Sequence, residues 1–250
     1  MGLLARTLIA GILLACCGAG LPPARNAASF YAAKPATTGG GGGSITRKGV
    51  VEGSSGSVAS TWDLTSTLNV AAGDLVTVGT GGTVDATAVS VGGQACTEIK
   101  VVNASGYYVS LWYLANASAN AAATVTITAA GANFAVGAAS NYSGLSATPL
   151  DQSSCNTAGC NATTDSINIT AQNVATTSAN ELLVCWAPTD ANHSSWTAAG
   201  SFTLRTATGT KNWALLDRIV SSTGSYPGGT VLTVDSGGDN LYWSTFATFK

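Results

Sequence analysis

His193 is the only histidine in the chain, and it lies close in sequence to Asp190 and to several serines. A histidine can act as the general base of a hydrolase when an acid orients it and a serine stands beside it. Serine and threonine are abundant throughout this chain, so such neighbours arise readily by chance, and no Gly-x-Ser-x-Gly elbow is present. We therefore interpret His193 as an ordinary loop residue and keep a secreted hydrolase as a remote alternative.

Carboxylates offer a second route to hydrolysis. A glycosidase needs two facing carboxyl groups, about 5 Å apart in retaining enzymes and further apart in inverting ones. The chain has three glutamates, of which Glu181 begins a predicted strand, and Asp217 lies in another predicted strand. These two could form such a pair, but acids at such positions more often cap or terminate strands. We expect no catalytic residue and predict that the chain is not an enzyme.

The oxygen-rich segment 235–240 (Asp-Ser-Gly-Gly-Asp-Asn) is the best candidate for a metal site. It lacks the ligand spacing and the closing glutamate of an EF-hand loop, so a plain hairpin turn is favoured over a calcium site. The glycine run at 39–43 is not followed by the Lys-Ser/Thr of a phosphate-binding loop. No metal and no cofactor are expected.

The cysteines favour structural roles. Cys155 and Cys160 are separated by four residues in a predicted polar loop, a spacing that lets two Cα atoms approach to disulfide distance. We predict a disulfide here, since exported proteins retain such bonds; a zinc site would need four ligands. Cys96 and Cys185 lie in predicted strands, and the sequence leaves two alternatives for them: a bond across the sandwich, or two buried free thiols.

Aromatic side chains are the remaining resource for binding. Trp196 and Tyr226 fall in predicted loops, where an exposed ring could stack on a sugar. They are the candidate ligand-binding residues, and partial burial beneath loops is the simpler alternative.

The element that must position these residues is a buried strand at 180–186 (Asn-Glu-Leu-Leu-Val-Cys-Trp). Its apolar run is too short for a buried helix and predicts a strand covered on both faces. Most other candidate strands alternate apolar residues with Ser or Thr. About eleven to thirteen short strands with frequent turn signals predict a single antiparallel β-sandwich, of jelly-roll or immunoglobulin-like type. The absence of crossover helices excludes a parallel α/β fold.

The N-terminal segment predicts export. Residues 1–16 have a short basic region and an apolar run too short to span a bilayer, as in a secretory signal peptide. Leu13-Leu14-Ala15-Cys16 resembles a bacterial lipobox, in which the cysteine becomes lipidated. The alternatives are an ordinary signal peptide cleaved after Ala19 and an uncleaved anchor. Residues 17–49, rich in Gly and Pro, predict a flexible tether, and residues 50–250 the sandwich domain.

Several short segments of the chain resemble segments of a β-sandwich domain of unassigned function from bacterial cell-surface and phage-related proteins. They are residues 70–76 (Val-Ala-Ala-Gly-Asp-Leu-Val), 142–145 (Tyr-Ser-Gly-Leu), 179–184 (Ala-Asn-Glu-Leu-Leu-Val), 217–225 and 246–250 (Phe-Ala-Thr-Phe-Lys). The resemblance implies the fold and export, and it brings no catalytic residues.

Composition narrows the function classes. Charged residues make up only 9% of the chain and the formal charge is −2, with no basic cluster, so no nucleic-acid partner is expected. We expect an exported, non-catalytic structural or interaction module of the cell envelope or extracellular space. It would touch the membrane only through a lipid on Cys16, and its partner would be a surface glycan or protein. The alternative function is a carbohydrate-binding module that uses Trp196 and Tyr226.

Overall fold

The computed structural model describes most of the chain from Ser44 onward. The described residues are 44–54, 60–104, 106–132, 134–162, 166–170, 173–193, 195–198, 200–206, 211–227, 229–233 and 240–250. All their regular structure is β-strand, and every strand pairing is antiparallel. The prediction of an all-β antiparallel sandwich is confirmed. The predicted lipidation site Cys16 lies outside the described residues.

The first half of the described chain carries strands β1 to β11. Their bounds are β1 (Thr46–Ser54), β2 (Thr61–Asp63), β3 (Leu68–Val70), β4 (Leu75–Gly82), β5 (Ala86–Val91), β6 (Gln94–Ala95), β7 (Thr97–Ala104), β8 (Tyr107–Leu114), β9 (Asn120–Ala123), β10 (Val125–Ala129) and β11 (Ala135–Ser143). The strand order is β1-β11-β4-β8-β7 in a five-stranded sheet, β2-β10-β5-β6 in a four-stranded sheet, and β3-β9 in a two-stranded one.

The second half carries strands β12 to β21. Their bounds are β12 (Leu150–Ala162), β13 (Ser166–Thr170), β14 (Val174–Ala175), β15 (Glu181–His193), β16 (Ser195–Ala198), β17 (Thr203–Leu204), β18 (Lys211–Val220), β19 (Ser225–Tyr226), β20 (Gly229–Thr233) and β21 (Asn240–Phe249). The strand orders are β12-β21-β15-β18-β17, β13-β20-β16 and β14-β19. The described strands outnumber the predicted eleven to thirteen because pieces of two or three residues, such as β14 and β17, are too short to show a period.

The two halves share one topology. The sheet β1-β11-β4-β8-β7 corresponds strand by strand to β12-β21-β15-β18-β17. Likewise, β2-β10-β5 corresponds to β13-β20-β16, and β3-β9 to β14-β19. Only β6 has no described counterpart. The register agrees, because the first strand of each half is interrupted by an irregularity at the same place, at Lys48 and at Asp151. The equivalent pairs that anchor the alignment are Leu75–Tyr142 with Leu182–Phe249, and Thr77–Tyr113 with Val184–Asp217.

The five-stranded sheets of the two halves pack against each other. The central core between them contains Tyr142, Trp186 and Trp243, all fully buried. The other face of each five-stranded sheet packs on the smaller sheets of its own half, with Val78 in the core of the first half and Phe246 in that of the second. The molecule is therefore a pair of equivalent sandwiches joined through a third core.

Contacts across the central core follow a local two-fold relation. A Cβ added to Gly79 would overlap the indole of Trp186, which occupies the equivalent position on β15. On the strands next to β4 and β15, the Tyr142 hydroxyl donates to Asp217 at 2.9 Å, and the equivalent pair is the ring contact of Phe249 with Tyr113. When a residue of one half contacts a residue of the other half, the counterparts of these two residues also contact each other. This is the pattern of an isologous interface.

β15 is the middle strand of its sheet, between β21 and β18. Residues 181–189 are all buried. Leu182 and Val184 enter the central core, whereas Leu183 and Cys185 enter the core of the second half. The prediction of a strand at 180–186 covered on both faces is confirmed from Glu181 onward, and the two cores explain its apolar run; Asn180 is exposed and precedes the strand, which continues to His193.

The fold begins earlier than residue 50. Residues 46–49, which the sequence assigns to the tether, belong to β1 and pair with the end of β11. Beside this pairing, Ser44 contacts Gly144, and the Ser146 amide donates to the Lys250 carbonyl at 2.9 Å. The connection between the two halves therefore lies beside both ends of the described chain.

Candidate functional site

A buried carboxylate stands at the start of the central strand in each half. Asp74 precedes β4, is 1% exposed, and accepts a hydrogen bond from the Ala71 amide at 2.9 Å. Lys48 Nζ lies 2.8 Å from one Asp74 oxygen, and Asn141 Nδ2 donates to the other at 3.0 Å. These contacts satisfy Asp74 and close the turn at Gly73, whose φ of 86° favours glycine. This carboxylate supports the scaffold.

Glu181 is the counterpart of Asp74 at the start of β15. It accepts the Ser178 amide at 2.6 Å through Oε1, the same three-residue step as in the first half. Within the described residues, no hydrogen-bond donor reaches its buried Oε2. Burial raises the pKa of Glu181 and the charge of Asp151 adds to the rise, while the Ser178 amide, the Thr248 hydroxyl and the charge of Lys250 offset part of it. The position of Lys48 is taken here by Asp151, so the nearby cation, Lys250, forms its ion pair with Asp151 rather than with Glu181.

Asp151 is held by a cation from the end of the chain. Lys250 Nζ lies 2.8 Å from its Oδ1, and the Thr177 amide donates to its Oδ2 at 3.0 Å. Burial alone would raise the pKa of Asp151, but the hydrogen bonds from Lys250 and Thr177 outweigh it and lower the pKa.

Glu181 and Asp217 cannot act as a facing pair. Asp217 is paired with Val184 and lies on the central-core face of the sheet. Glu181 is three residues from Val184, and side chains alternate along a strand, so it points to the opposite face. Asp217 instead accepts hydrogen bonds from Tyr142 Oη at 2.9 Å and Arg205 Nε at 2.7 Å. The suggested glycosidase pair is wrong, because the pleat of the sheet separates the two carboxylates.

Several predicted sites fall on residues that the structure leaves undescribed. The side chains of Asp190, His193 and Cys160 are not described, and neither is the turn at 235–239. The backbone of β15 does continue to His193, so this histidine lies at the end of a strand rather than in the predicted loop. Likewise, Cys155 and Cys160 lie in β12, not in a loop. The bond between them stays a prediction.

Cys96 and Cys185 are unpaired in the structure. Cys96 packs against the core of the first half, and Cys185 lies in the core of the second, so different cores hold the two thiols. Burial raises the pKa of each thiol to about 12. This arrangement corresponds to the second alternative, in which both cysteines serve as small apolar residues.

The candidate binding aromatics lie in strands rather than loops. Trp196 is in β16 and Tyr226 in β19, and both rings are half-buried against the core of the second half. The Arg218 guanidinium lies 5.0 Å from the centroid of the Tyr226 ring, and the Tyr226 hydroxyl donates to the Ser222 carbonyl at 2.8 Å. A guanidinium so placed covers one face of the ring. Tyr226 is therefore a constrained platform for stacking.

A cleft with a mixed polar and apolar lining opens where β1 approaches the residue after β17. Its volume is about 300 Å³, and it is lined by Val50, Val51, Glu52, Thr65, Ser66 and Arg205. The Trp213 indole N–H donates to Glu52 Oε2 at 2.8 Å, and the Thr65 hydroxyl donates to the Glu52 carbonyl at 2.6 Å. Arg205 Nη2 lies 2.6 Å from Asp217 Oδ1. Contacts from both halves thus hold the charged lining in place.

The cleft combines Glu52 with Arg205, which sequence reasoning did not single out. They are far apart in sequence, and no motif surrounds either. One signal did exist: charged residues are only 9% of the chain, and Glu52 lies within a strand while Arg205 directly follows one.

The described residues contain no group of three or more His, Cys, Asp or Glu side chains placed to hold a metal ion. In the described part of the chain, no helix has the length and apolar character needed to cross a bilayer. Comparisons with protein-family models, with curated proteins and with solved structures find no match.

Proposed function

We propose that this chain is an exported, non-catalytic surface module, anchored to a membrane through a lipid on Cys16. Residues 1–16 act as the leader and the following Gly/Pro-rich residues act as the tether. A non-catalytic role is supported by the positions of the two candidate acids, which hold the scaffold together. Glu181 and Asp217 are buried, lie on opposite faces of one sheet, and accept hydrogen bonds from the scaffold.

Membrane fractionation of cells that express the full chain tests the anchor. We expect the mature chain in the membrane fraction, labelled by radioactive palmitate, and we expect Cys16→Ser to abolish the label and release the chain. Cys17→Ser is the matched control, because it changes the neighbouring thiol and leaves the lipobox cysteine in place. A wild-type chain that is soluble and unlabelled would refute the anchor.

Carbohydrate binding is the second candidate function. It is favoured by the cleft, in which a carboxylate, a guanidinium and two exposed hydroxyl residues stand together. The aromatic platforms at Trp196 and Tyr226 contribute less than the sequence indicates, because both rings pack on a core. A glycan array read with wild type, Trp196→Ala and Tyr226→Ala tests this function, and absence of binding by the wild type would contradict it.

A further inference from the structure

An amine, a carboxylate and a carboxamide come together in the first half, at Lys48, Asp74 and Asn141. Lys48 Nζ lies 2.8 Å from Asp74 Oδ1, and Asn141 Nδ2 donates to Asp74 Oδ2 at 3.0 Å. One buried carboxylate therefore contacts both groups. Lys48 lies at the irregularity of β1, where a bulge can re-aim a side chain, and Asn141 lies in the neighbouring strand β11. A nucleophile is thus held beside an acyl carbon.

The orientation of the Asn141 amide suits a reaction at its carbonyl carbon. Nδ2 donates to the Asn69 carbonyl at 3.0 Å as well as to Asp74, so the nitrogen faces the acid that can protonate it. Oδ1 is buried and accepts no hydrogen bond from a described residue. A Cβ at Gly49 would lie 3.0 Å from this oxygen, so the glycine next to Lys48 keeps the carbonyl from being crowded.

The equivalent corner of the second half has neither the amine nor the carboxamide. The register places Asp151 at the position of Lys48 and Thr248 at the position of Asn141. The same irregularity and the same strand pairing form there. The fold therefore does not require a lysine and an asparagine at this corner, and their meeting in the first half is specific to that half.

We propose that Lys48 and Asn141 become joined by an amide bond, which the folded chain forms by itself with Asp74 as the proton carrier. Nζ of Lys48 gives a proton to Asp74 and attacks Cγ of Asn141. The Nζ–Cγ bond forms and the Cγ–Nδ2 bond breaks. Of the three Nζ protons, one stays on the new amide and two pass through Asp74 to Nδ2, which leaves as ammonium.

This step needs no further reactant, because one amide replaces another and the positive charge of Lys48 departs with the ammonium. Two groups held against one carboxylate react at a high effective concentration. A carboxylate that takes a proton and then returns it acts as a general base and a general acid. The step happens once per chain, so it agrees with a non-catalytic module, and it rests on neither the lipid anchor nor carbohydrate binding.

The bond would tie the first strand of the first half to its last strand. It closes a loop over residues 48–141, and a cross-link of this kind stabilises a protein mainly by constraining its unfolded chain. Residues 1–43 lead into β1, so a pull on that end of the chain would load the covalent bond at Lys48. The hydrogen bonds between β1 and β11 beyond this point would be spared.

Mass spectrometry of the purified, folded chain tests the proposal. We expect the intact mass of the mature chain to be lower by one ammonia than its sequence requires. A tryptic digest should contain a branched peptide in which Lys48 is uncleaved and joined to the peptide of Asn141.

Two variants assign the roles, and a third is the control. Lys48→Arg keeps a cation beside Asp74 but removes the amine, so it should have its full mass and a lower melting temperature. Asp74→Asn should also have its full mass, because the proton carrier is lost. Lys250→Arg is the matched control: Lys250 Nζ lies at the same distance, 2.8 Å, from Asp151, and this variant should keep the branched peptide.

A wild-type chain of full mass, or one that trypsin cleaves after Lys48, would overturn the proposal. A loss of ammonia that persists in Lys48→Arg would also overturn it, since an asparagine would then have cyclised to a succinimide. A branched peptide in Asp74→Asn would show that Asp74 is not the proton carrier. If Asp74→Asn does not fold, Lys48→Arg decides the question, because it leaves the hydrogen bond between Asp74 and Asn141 in place.

Discussion

At the scale of single residues, the few charges of this chain are used mainly to hold the fold. Asp74 and Glu181 occupy equivalent positions, yet one has Lys48 beside it and the other has Asp151. The same turn is therefore built once with a satisfied carboxylate and once with a buried carboxylate oxygen that no described donor reaches. A buried polar atom left without a partner costs free energy, so the second half should depend on pH in a way that the first does not.

The substitution Glu181→Gln tests this dependence. The pKa of Glu181 is raised in the folded state, so the folded state holds its proton more tightly than the unfolded chain. Stability from this group is present at acid pH and is lost as the pH rises from the unfolded value near 4.5 through the folded pKa. We expect the free energy of unfolding of Glu181→Gln, measured by urea denaturation, to decline less than that of wild type over this range.

Asp151→Asn is the comparison variant, since the pKa of Asp151 is lowered on folding. Its contribution is present above the unfolded value of 3.8 and is lost as the pH falls through the folded pKa, so this variant should change the acid limb. If Glu181→Gln runs parallel to wild type above pH 4.5, the assigned cost of Glu181 is wrong.

At the scale of elements, the crossing of β4 and β15 depends on size complementarity at equivalent positions. Gly79 has no side chain where Trp186 needs room, and a Cβ at Gly81 would lie 2.8 Å from Pro188 Cγ. Trp186 also donates its indole N–H to the Thr80 carbonyl at 3.0 Å. Small residues on one strand and large ones on the other let two equivalent strands meet closely.

Gly79→Ala should lower the free energy of unfolding by about 1–3 kcal/mol, because its methyl group overlaps the buried indole. The matched control is Gly131→Ala, whose Cβ would lie 3.9 Å from Val84 and should change stability by less than about 0.5 kcal/mol. The measurement is chemical denaturation of Gly79→Ala, Gly131→Ala, Trp186→Leu and the double variant Gly79→Ala/Trp186→Leu. Strictly additive effects in this cycle would show that the two positions do not interact.

The central strand could be predicted from sequence, but its partner could not. The run from Leu182 to Trp186 is apolar at every position, and this identifies a strand covered on both faces. Gly79 lies within β4, and nothing in the sequence around it indicates that it accommodates an indole more than a hundred residues away. The cleft could not be predicted for the same reason, because Glu52 and Arg205 come together only when β1 and β17 lie on facing sheets.

At the scale of the whole molecule, two equivalent sandwiches share a core that neither could form alone. The sequence shows no repeat of fixed spacing, because the loops of the two halves differ in length. The two halves do share residue types at equivalent positions in the segments that carry the family resemblance. Asp74-Leu75 corresponds to Glu181-Leu182, and Tyr142 corresponds to Phe249. These matched residue types form the same turn and enter the same core in both halves.

Cutting the connection between the halves tests the shared core. Residues 146–148 are exposed and can take an inserted protease site. After cleavage we expect the two halves to co-elute on size exclusion under native conditions and to separate only in denaturant, because Tyr142, Trp186 and Trp243 would otherwise face water. Separation of the halves without denaturant would show that the central core contributes little.

The order of the halves is interchangeable, because both ends of the described chain lie beside the connection between the halves. The residues that come together there are Ser44, Gly144, Ser146 and Lys250. A short peptide from Lys250 to Ser44 would close the chain into a ring, and opening that ring at 146–148 would give a circular permutant that begins with β12. Each sheet would keep all of its strands in this permutant. For any fused domain, attachment before Ser44 or after Lys250 would therefore lead to the same side of the molecule.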